Sequence, residues 1–262
     1  MQAMTESHAF RRAFTALAAV SALGGCSIFR TPPTPTPESS YAQGMQAYQA
    51  RRYGRAAELL GQFVTATGSD VRLKPALMAM ARSHMETGEF VTAGSEFLRV
   101  ATEFPSDPEA VEARFGLCDA YHRLSPRPQL DQDYTVAAIS YCESFAGLYP
   151  GEASARQATE WVGEMREKLA TKSYQNGFFY FRRGLYDAGL VYFNEVLEQH
   201  PRSTVAPTAL LRVVESYQRM GYREEEAAAR QRLLAEYPQS AEARQAQPAP
   251  PAAAAAAPPS GG

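Results

Sequence analysis

The residues of this chain best suited to covalent or metal chemistry are three cysteines, Cys26, Cys118 and Cys142, and four histidines. No C-x-x-C and no H-x-x-x-H pair occurs, so soft ligands at zinc or iron–sulfur spacing are missing and no metal site is expected. G-x-S-x-G, P-loop, H-E-x-x-H and G-x-G-x-x-G patterns are also absent, and the carboxylates lie beside arginines in helical segments, as on solvated faces. No catalytic residue and no cofactor is expected, and the chain reads as a non-enzyme. Lys and Arg number 26 against 28 Asp and Glu, which removes the basic footprint of a protein that grips nucleic acid. His84 and His122 are expected to pack near helix ends, His200 to sit in a turn, and Trp161 to anchor a core. Cys118 and Cys142 either pair as a disulfide, if the compartment is oxidising, or remain small buried thiols.

Cys26 has a different setting. Arg11 and Arg12 precede an uncharged run from Ala13 to Gly25, too short to span a bilayer and shaped like a secretory signal. The run ends Leu23-Gly24-Gly25-Cys26, which resembles a bacterial lipobox, so residues 1–25 are expected to be removed and Cys26 acylated. Several acyl chains give durable anchoring where one is marginal. Ser27, rather than an Asp, after the Cys favours the outer membrane. Residues 26–39 are Pro-rich and read as an extended tether, and residues 245–262, uncharged and rich in Pro and Ala, as a disordered tail.

Between these ends the elements repeat. Glu103-Phe104-Pro105, Leu148-Tyr149-Pro150, Gln199-His200-Pro201 and Glu236-Tyr237-Pro238 each close an apolar helical stretch, and Thr67-Gly68-Ser69 closes a degenerate first copy. The closing positions 68, 105, 150, 201 and 238 lie 37, 45, 51 and 37 residues apart, the spacing of helical-pair repeats. Inside each copy a turn with Arg52-Tyr53, Gly88-Glu89-Phe90, Gly184-Leu185-Tyr186 or Gly221-Tyr222 separates two helices. A small residue follows where the pair packs closely: Ala56, Ala93, Ala138, Gly189 and, shifted by one, Ala227. No stretch alternates as a strand would. The expected fold is an all-α, tetratricopeptide-like (TPR-like) α-solenoid of about five repeats, with repeats one to three in residues 40–152 and four and five in residues 153–244. Residues 125–133, with two prolines, lengthen the third turn, and residues from Ala153 to Arg183 make the fourth repeat's first helix unusually long.

Helical-pair solenoids present a groove lined by their first helices, suited to extended peptides or a partner's helix. Tyr48, Arg51, Met78, Arg82, Arg114 and Tyr121 are the candidate groove residues, cations mixed with aromatic or flexible apolar groups.

Three stretches carry a resemblance to a known family: residues 42–63, the insertion ending Asp131-Gln132-Asp133-Tyr134 ahead of Ala137-Ala138, and residues 168–203. Together with the lipobox, tether and lengthened third turn, they resemble the BamD family of lipoproteins of the outer-membrane β-barrel assembly machinery, over about residues 41–240. The resemblance implies a periplasmic scaffold anchored in the outer membrane. It implies docking on a BamA-like assembly protein and recognition of unfolded outer-membrane protein precursors, with other accessory lipoproteins as further partners. By that likeness the N-terminal repeats take the precursor and the C-terminal repeats hold BamA, near Arg182, Arg183, Asp187 and Tyr192. Two departures stand out: Thr67-Gly68 in place of an aromatic-Pro ending, and Tyr192 where many members carry a basic residue. A TPR adaptor lipoprotein serving peptidoglycan or secretion machinery is the other reading, separable by which components co-purify.

Overall fold

The computed structural model describes residues 36–247, and among them every regular element is a helix. Cys26 with its lipobox, most of the expected tether and residues 248–262 lie outside the described residues. Five antiparallel pairs follow one another: α1 (Pro37–Gln49) with α2 (Tyr53–Ala66), α3 (Leu73–Thr87) with α4 (Phe90–Glu103), α5 (Glu109–Leu124) with α6 (Asp133–Leu148), α7 (Ala153–Phe181) with α8 (Tyr186–Gln199), and α9 (Ala206–Met220) with α10 (Arg223–Glu236). A short α11 (Ala241–Ala246) closes the stack. Each helix packs on its chain neighbours, and α1 on α3, α5 on α7 and α7 on α9 join the pairs into a TPR-like α-solenoid.

The repeat signature has a backbone cause. Phe104, Tyr149, His200 and Tyr237 cap α4, α6, α8 and α10 with φ between −127° and −134°, each N–H donating to the carbonyl four residues back. The following Pro or turn cannot continue the helix. The turn between the helices of a pair needs a left-handed residue, and Gly88, Gly184 and Gly221 supply it with φ of 75–81°. In the first pair the same place falls to Arg51, with φ of 57°. Arg51, expected among the groove residues, is thus the left-handed residue of the first turn. A Cβ in that conformation is strained by about 1–2 kcal/mol. Arg51→Gly should raise stability by about 0.5–1 kcal/mol, glycine's greater unfolded freedom offsetting part of the relief. Thermal melts of the two proteins check this, and an unchanged or lowered midpoint contradicts it.

Ala56, Ala93 and Ala138 are fully buried, and Gly189 packs so close to α7 that a Cβ on Gly177 would lie 3.1 Å from its carbonyl oxygen and 2.7 Å from Phe193. Ala227 is exposed instead, and Ala229 takes the buried place in α10. The two ends differ from the sequence expectation in the same way. Pro37 to Ser39 belong to α1, with Thr36 as N-cap accepting from the Ser39 amide at 3.3 Å, because Pro fits the first helical turn. Gln245 and Ala246 belong to α11, where Ala246 is buried and its carbonyl accepts from Arg230 at 2.9 Å.

The core is divided into three clusters. One fills α1 to α5, the second gathers Cys118, Ala138, Cys142 and Phe145 with Ala155, Ala158, Val162 and Met165 of α7, and the third runs from Ala170 to Ala246. The 29-residue α7 thus gives its first half to the third repeat and its second half to the last two repeats. The helical pairs change at residue 153, where α7 begins, whereas the core passes from one cluster to the next within α7, between Met165 and Ala170, because that helix is long enough, about 43 Å, to serve both.

Candidate functional site

The six residues expected to line one groove do not share a face. Met78 is 2% exposed and belongs to the core, since α3 is packed on three sides. Arg82 lies on the face of the first helices and forms a bidentate pair with Glu112 of α5 at 2.5 and 2.6 Å. Tyr48 sits beside it, its ring edge-on to Tyr53. Arg114 faces the cleft between α4 and α6, and Tyr121 is wedged there too, against Tyr141 and against Gly94, where a Cβ would come within 2.9 Å of its ring. Only Tyr48 and Arg82 remain together on the first-helix face.

The residues expected around the fourth turn form a more coherent surface. Arg183, at the end of α7, lies 3.5 Å over the ring of Phe179 and donates to the Phe179 carbonyl at 3.3 Å, a cation stacked where the helix dipole favours it. Tyr180 and Tyr192 stack nearly parallel at 5.6 Å, and their mutual proximity raises the Tyr192 hydroxyl above its ordinary value. These rings border a cavity of about 400 Å³ that also takes in Pro128, Gln129 and Lys172. Phe179, at the end of α7, and Leu185 and Val191, at the start of and within α8, are 50%, 52% and 66% exposed. Arg182 turns to the other side, 6.0 Å from the Phe178 ring, and Asp187 is exposed in the first turn of α8. Tyr192, where a basic residue was the family expectation, thus contributes a stacked ring and not an ion pair.

The insertion of the third repeat is held against this surface. Lys168 donates to Ser125 Oγ at 2.6 Å and Lys172 to the Leu130 carbonyl at 2.7 Å, while Gln129 bonds Gln175 at 3.0 Å. Inside the loop the buried Gln132 donates to the carbonyls of Arg127 and Leu130 and accepts from Thr135. Two prolines and a folded-back glutamine therefore make the lengthened third turn a fixed loop.

Elsewhere the polar groups serve packing. Trp161 is sandwiched between Phe115 at 5.5 Å and His122 at 4.4 Å, and burial lowers the His122 pKa. His84 bonds Glu96 through Nδ1 at 2.9 Å across α3 and α4. Cys118 and Cys142 are bonded, S–S 2.02 Å and Cα–Cα 4.8 Å, in the middle of α5 and α6 and not near their turn. Among the described residues no cluster of His, Cys, Asp and Glu could hold a metal ion, and no helix is long and apolar enough to cross a membrane.

A stack of helical pairs joined by short left-handed turns is the form of a TPR-like helical-repeat protein. The chain belongs to the YfiO family, described as outer membrane lipoproteins, whose model matches residues 33–233. It is 26% identical over 143 residues to the outer membrane protein assembly factor BamD of Caulobacter vibrioides, covering 55% of this chain and 47% of that protein. The chain thus spans about half the length of the curated relative it matches. Among solved structures it is similar to the TPR domain of P58(IPK), at TM-score 0.42 and 13% identity over 80% of this chain and 54% of that one. It is similar also to a thermophilic TPR protein of Thermus thermophilus, at TM-score 0.34 and 19% identity over 80% and 96%.

Proposed function

We propose that the chain is a non-enzymatic scaffold of outer-membrane β-barrel assembly, held on the periplasmic face of the outer membrane by acyl chains on Cys26. In this reading it docks on a BamA-like protein through the α7–α8 turn and helps recognise unfolded outer-membrane precursors with its N-terminal repeats. The observation that carries the reading is the exposed surface of Phe179, Leu185 and Val191 beside Arg183 and the Tyr180–Tyr192 stack, in a member of an outer membrane lipoprotein family. Aromatic rings and Arg are the side chains that concentrate binding energy at protein interfaces, and an exposed cluster of them favours a partner. On the first-helix face, Tyr48 and Arg82 offer the remaining aromatic and cationic contact for an extended chain.

Co-purification from solubilised outer membranes tests this. The mature chain should bring down the BamA-like protein. A combined Arg183→Ala and Leu185→Ala variant should bind it at least tenfold more weakly with unchanged helix content. Recovery of cell-wall synthases or secretion components instead would favour the adaptor reading, and undiminished binding by the variant would remove the surface assignment. Cys26→Ala should move the protein from the membrane to the soluble periplasmic fraction, and mass spectrometry of an unmodified Cys26 in the native protein would contradict the anchor.

A further inference from the structure

We propose that the cleft between α4 and α6, floored by α5, binds a peptide segment that presents a carboxylate beside an apolar side chain. The cleft encloses about 450 Å³ between Leu98, Pro105, Leu117, Tyr141 and Phe145, with Arg114 set among them. That volume falls in the range of sites that hold a small ligand or one or two side chains. No carboxylate lines it.

Arg114 is the unusual member. A guanidinium carries five N–H donors. Here Nε is buried with no hydrogen-bond partner, and Nη2 reaches only the Ala101 carbonyl, at 3.4 Å. Arginines of the adjoining first helices are satisfied: Arg82 of α3 pairs with Glu112, and Arg123 of α5 with Asp119 at 2.9 Å. Arg114 makes no ion pair among the described residues. A half-buried cation left short of acceptors among apolar walls is destabilising in itself, and a carboxylate that takes two of its N–H groups side by side relieves that cost. The apolar walls then accept the side chain next to the carboxylate. At the rim the Ser144 hydroxyl is available to a peptide amide, whereas the Thr102 hydroxyl is already donated to the Leu98 carbonyl. That polar group favours a peptide over a simple alkyl acid.

The cleft is distinct from both surfaces of the assembly reading. Glu112 and Arg114 are two residues apart on α5, so their side chains diverge by about 200° around the helix. Glu112 faces Arg82 on the first-helix face, and Arg114 faces the second helices. Nor does the cleft share any residue with the α7–α8 turn. Occupancy of the cleft does not depend on the assembly role, and either can fail alone.

Calorimetric titration of the full mature chain tests the proposal, with N-acetyl-leucyl-leucine as the free acid, the same dipeptide as its C-terminal amide, and decanoate. The free acid should bind at least tenfold more tightly than the amide. Arg114→Gln should abolish that difference and leave the amide's affinity unchanged, while Arg114→Lys, which keeps the charge but loses the planar fork, should retain only part of it. Equal binding of the two dipeptides, absence of binding by both, or a preference for the acid that persists in Arg114→Gln would each overturn the proposal. Binding of decanoate with no binding of the dipeptide acid would overturn the peptide assignment. Retention of the BamA-like partner by Arg114→Gln is expected throughout, which separates this outcome from a failure of the assembly reading.

Discussion

Glu96→Ala should lower the stability of the fold by about 3–5 kcal/mol, the usual cost of removing one member of a buried ion pair. Glu96 is 8% exposed and its carboxylate meets His84 Nδ1 at 2.9 Å, inside the second repeat where α3 and α4 touch. Truncation leaves His84, itself largely buried, with only the more distant Glu89 at 3.6 Å. Chemical denaturation of the two proteins measures the difference, and a loss below about 1 kcal/mol would show that the pair is solvated or easily replaced.

The same pair makes stability depend on pH with a definite sign. Burial raises the Glu96 carboxyl above its ordinary 4.5, and the hydrogen bond from His84 opposes that rise only in part. The hydrogen bond to Glu96 raises His84 above its ordinary 6.5, against the pull of burial. Both groups therefore hold protons more tightly in the folded state than in the unfolded chain. Stability falls wherever the folded state binds more protons and the pH rises. For Glu96 that window opens near pH 4.5, and for His84 near pH 6.5, each closing as the pH passes the folded value. The expected result is a stabilising contribution of the pair that is lost between pH 6 and pH 8, read as wild type minus Glu96→Gln, because His122 and His200, whose pKa values burial lowers, add stability as the pH rises through part of the same range. Glu96→Gln, which keeps hydrogen-bonding capacity without charge, should lack that contribution and return the His84 ring resonance to titration at or below its ordinary value. A wild-type stability that does not decline relative to Glu96→Gln over that interval would contradict the assignment.

Much of the architecture was legible because it is written in backbone chemistry. A left-handed turn residue, a closing aromatic before Pro and a small residue at the tightest contact each recur for a local reason, and the helix boundaries follow from them. Arg51 shows the limit of that reading. In type it matches the cations of a binding groove, and only its place in register with Gly88, Gly184 and Gly221 assigns it to the turn.

Faces were less legible than elements. In α3 the run from Leu77 to Ala81 is buried at every position, because α1, α2 and α4 surround it, so helical periodicity no longer separates inside from outside and Met78 passes for a surface residue. Arg114 and Tyr121 are seven residues apart and share a stripe of α5, but whether that stripe meets the first or the second helices depends on how α4 and α6 seat on it. His84 and Glu96, twelve residues apart on two helices, give no sequence sign of pairing. The aromatic run Phe178–Phe181 was noticed for its family likeness, whereas its physical content, one ring under Arg183 and another against Tyr192, required the turn to be folded.

Removal of the Cys118–Cys142 bond should cost about 3 kcal/mol. The two residues are 24 apart, and cross-linking a loop of that length restricts the unfolded chain by roughly this amount. For a body of some 200 residues this corresponds to a midpoint lowered by about 6–12 °C. The bond is fully buried with Ala138, Phe145 and Ala158, in the cluster that ties the third repeat to the first half of α7, so the effect should reach α7 as well as the α5–α6 pair. The insertion is held separately, by Lys168, Lys172 and Gln132, and its amides should stay protected when the bond is cut. A Cys118→Ala, Cys142→Ala variant and the reduced native protein should melt alike, apart from the small packing loss of the two sulfurs. Hydrogen exchange should rise in α5, α6 and the first half of α7. Titration of the unfolded, unreduced protein should find neither Cys118 nor Cys142 free. Two reactive thiols there, or reduced and unreduced proteins with equal midpoints, would show that these cysteines act only as small buried side chains.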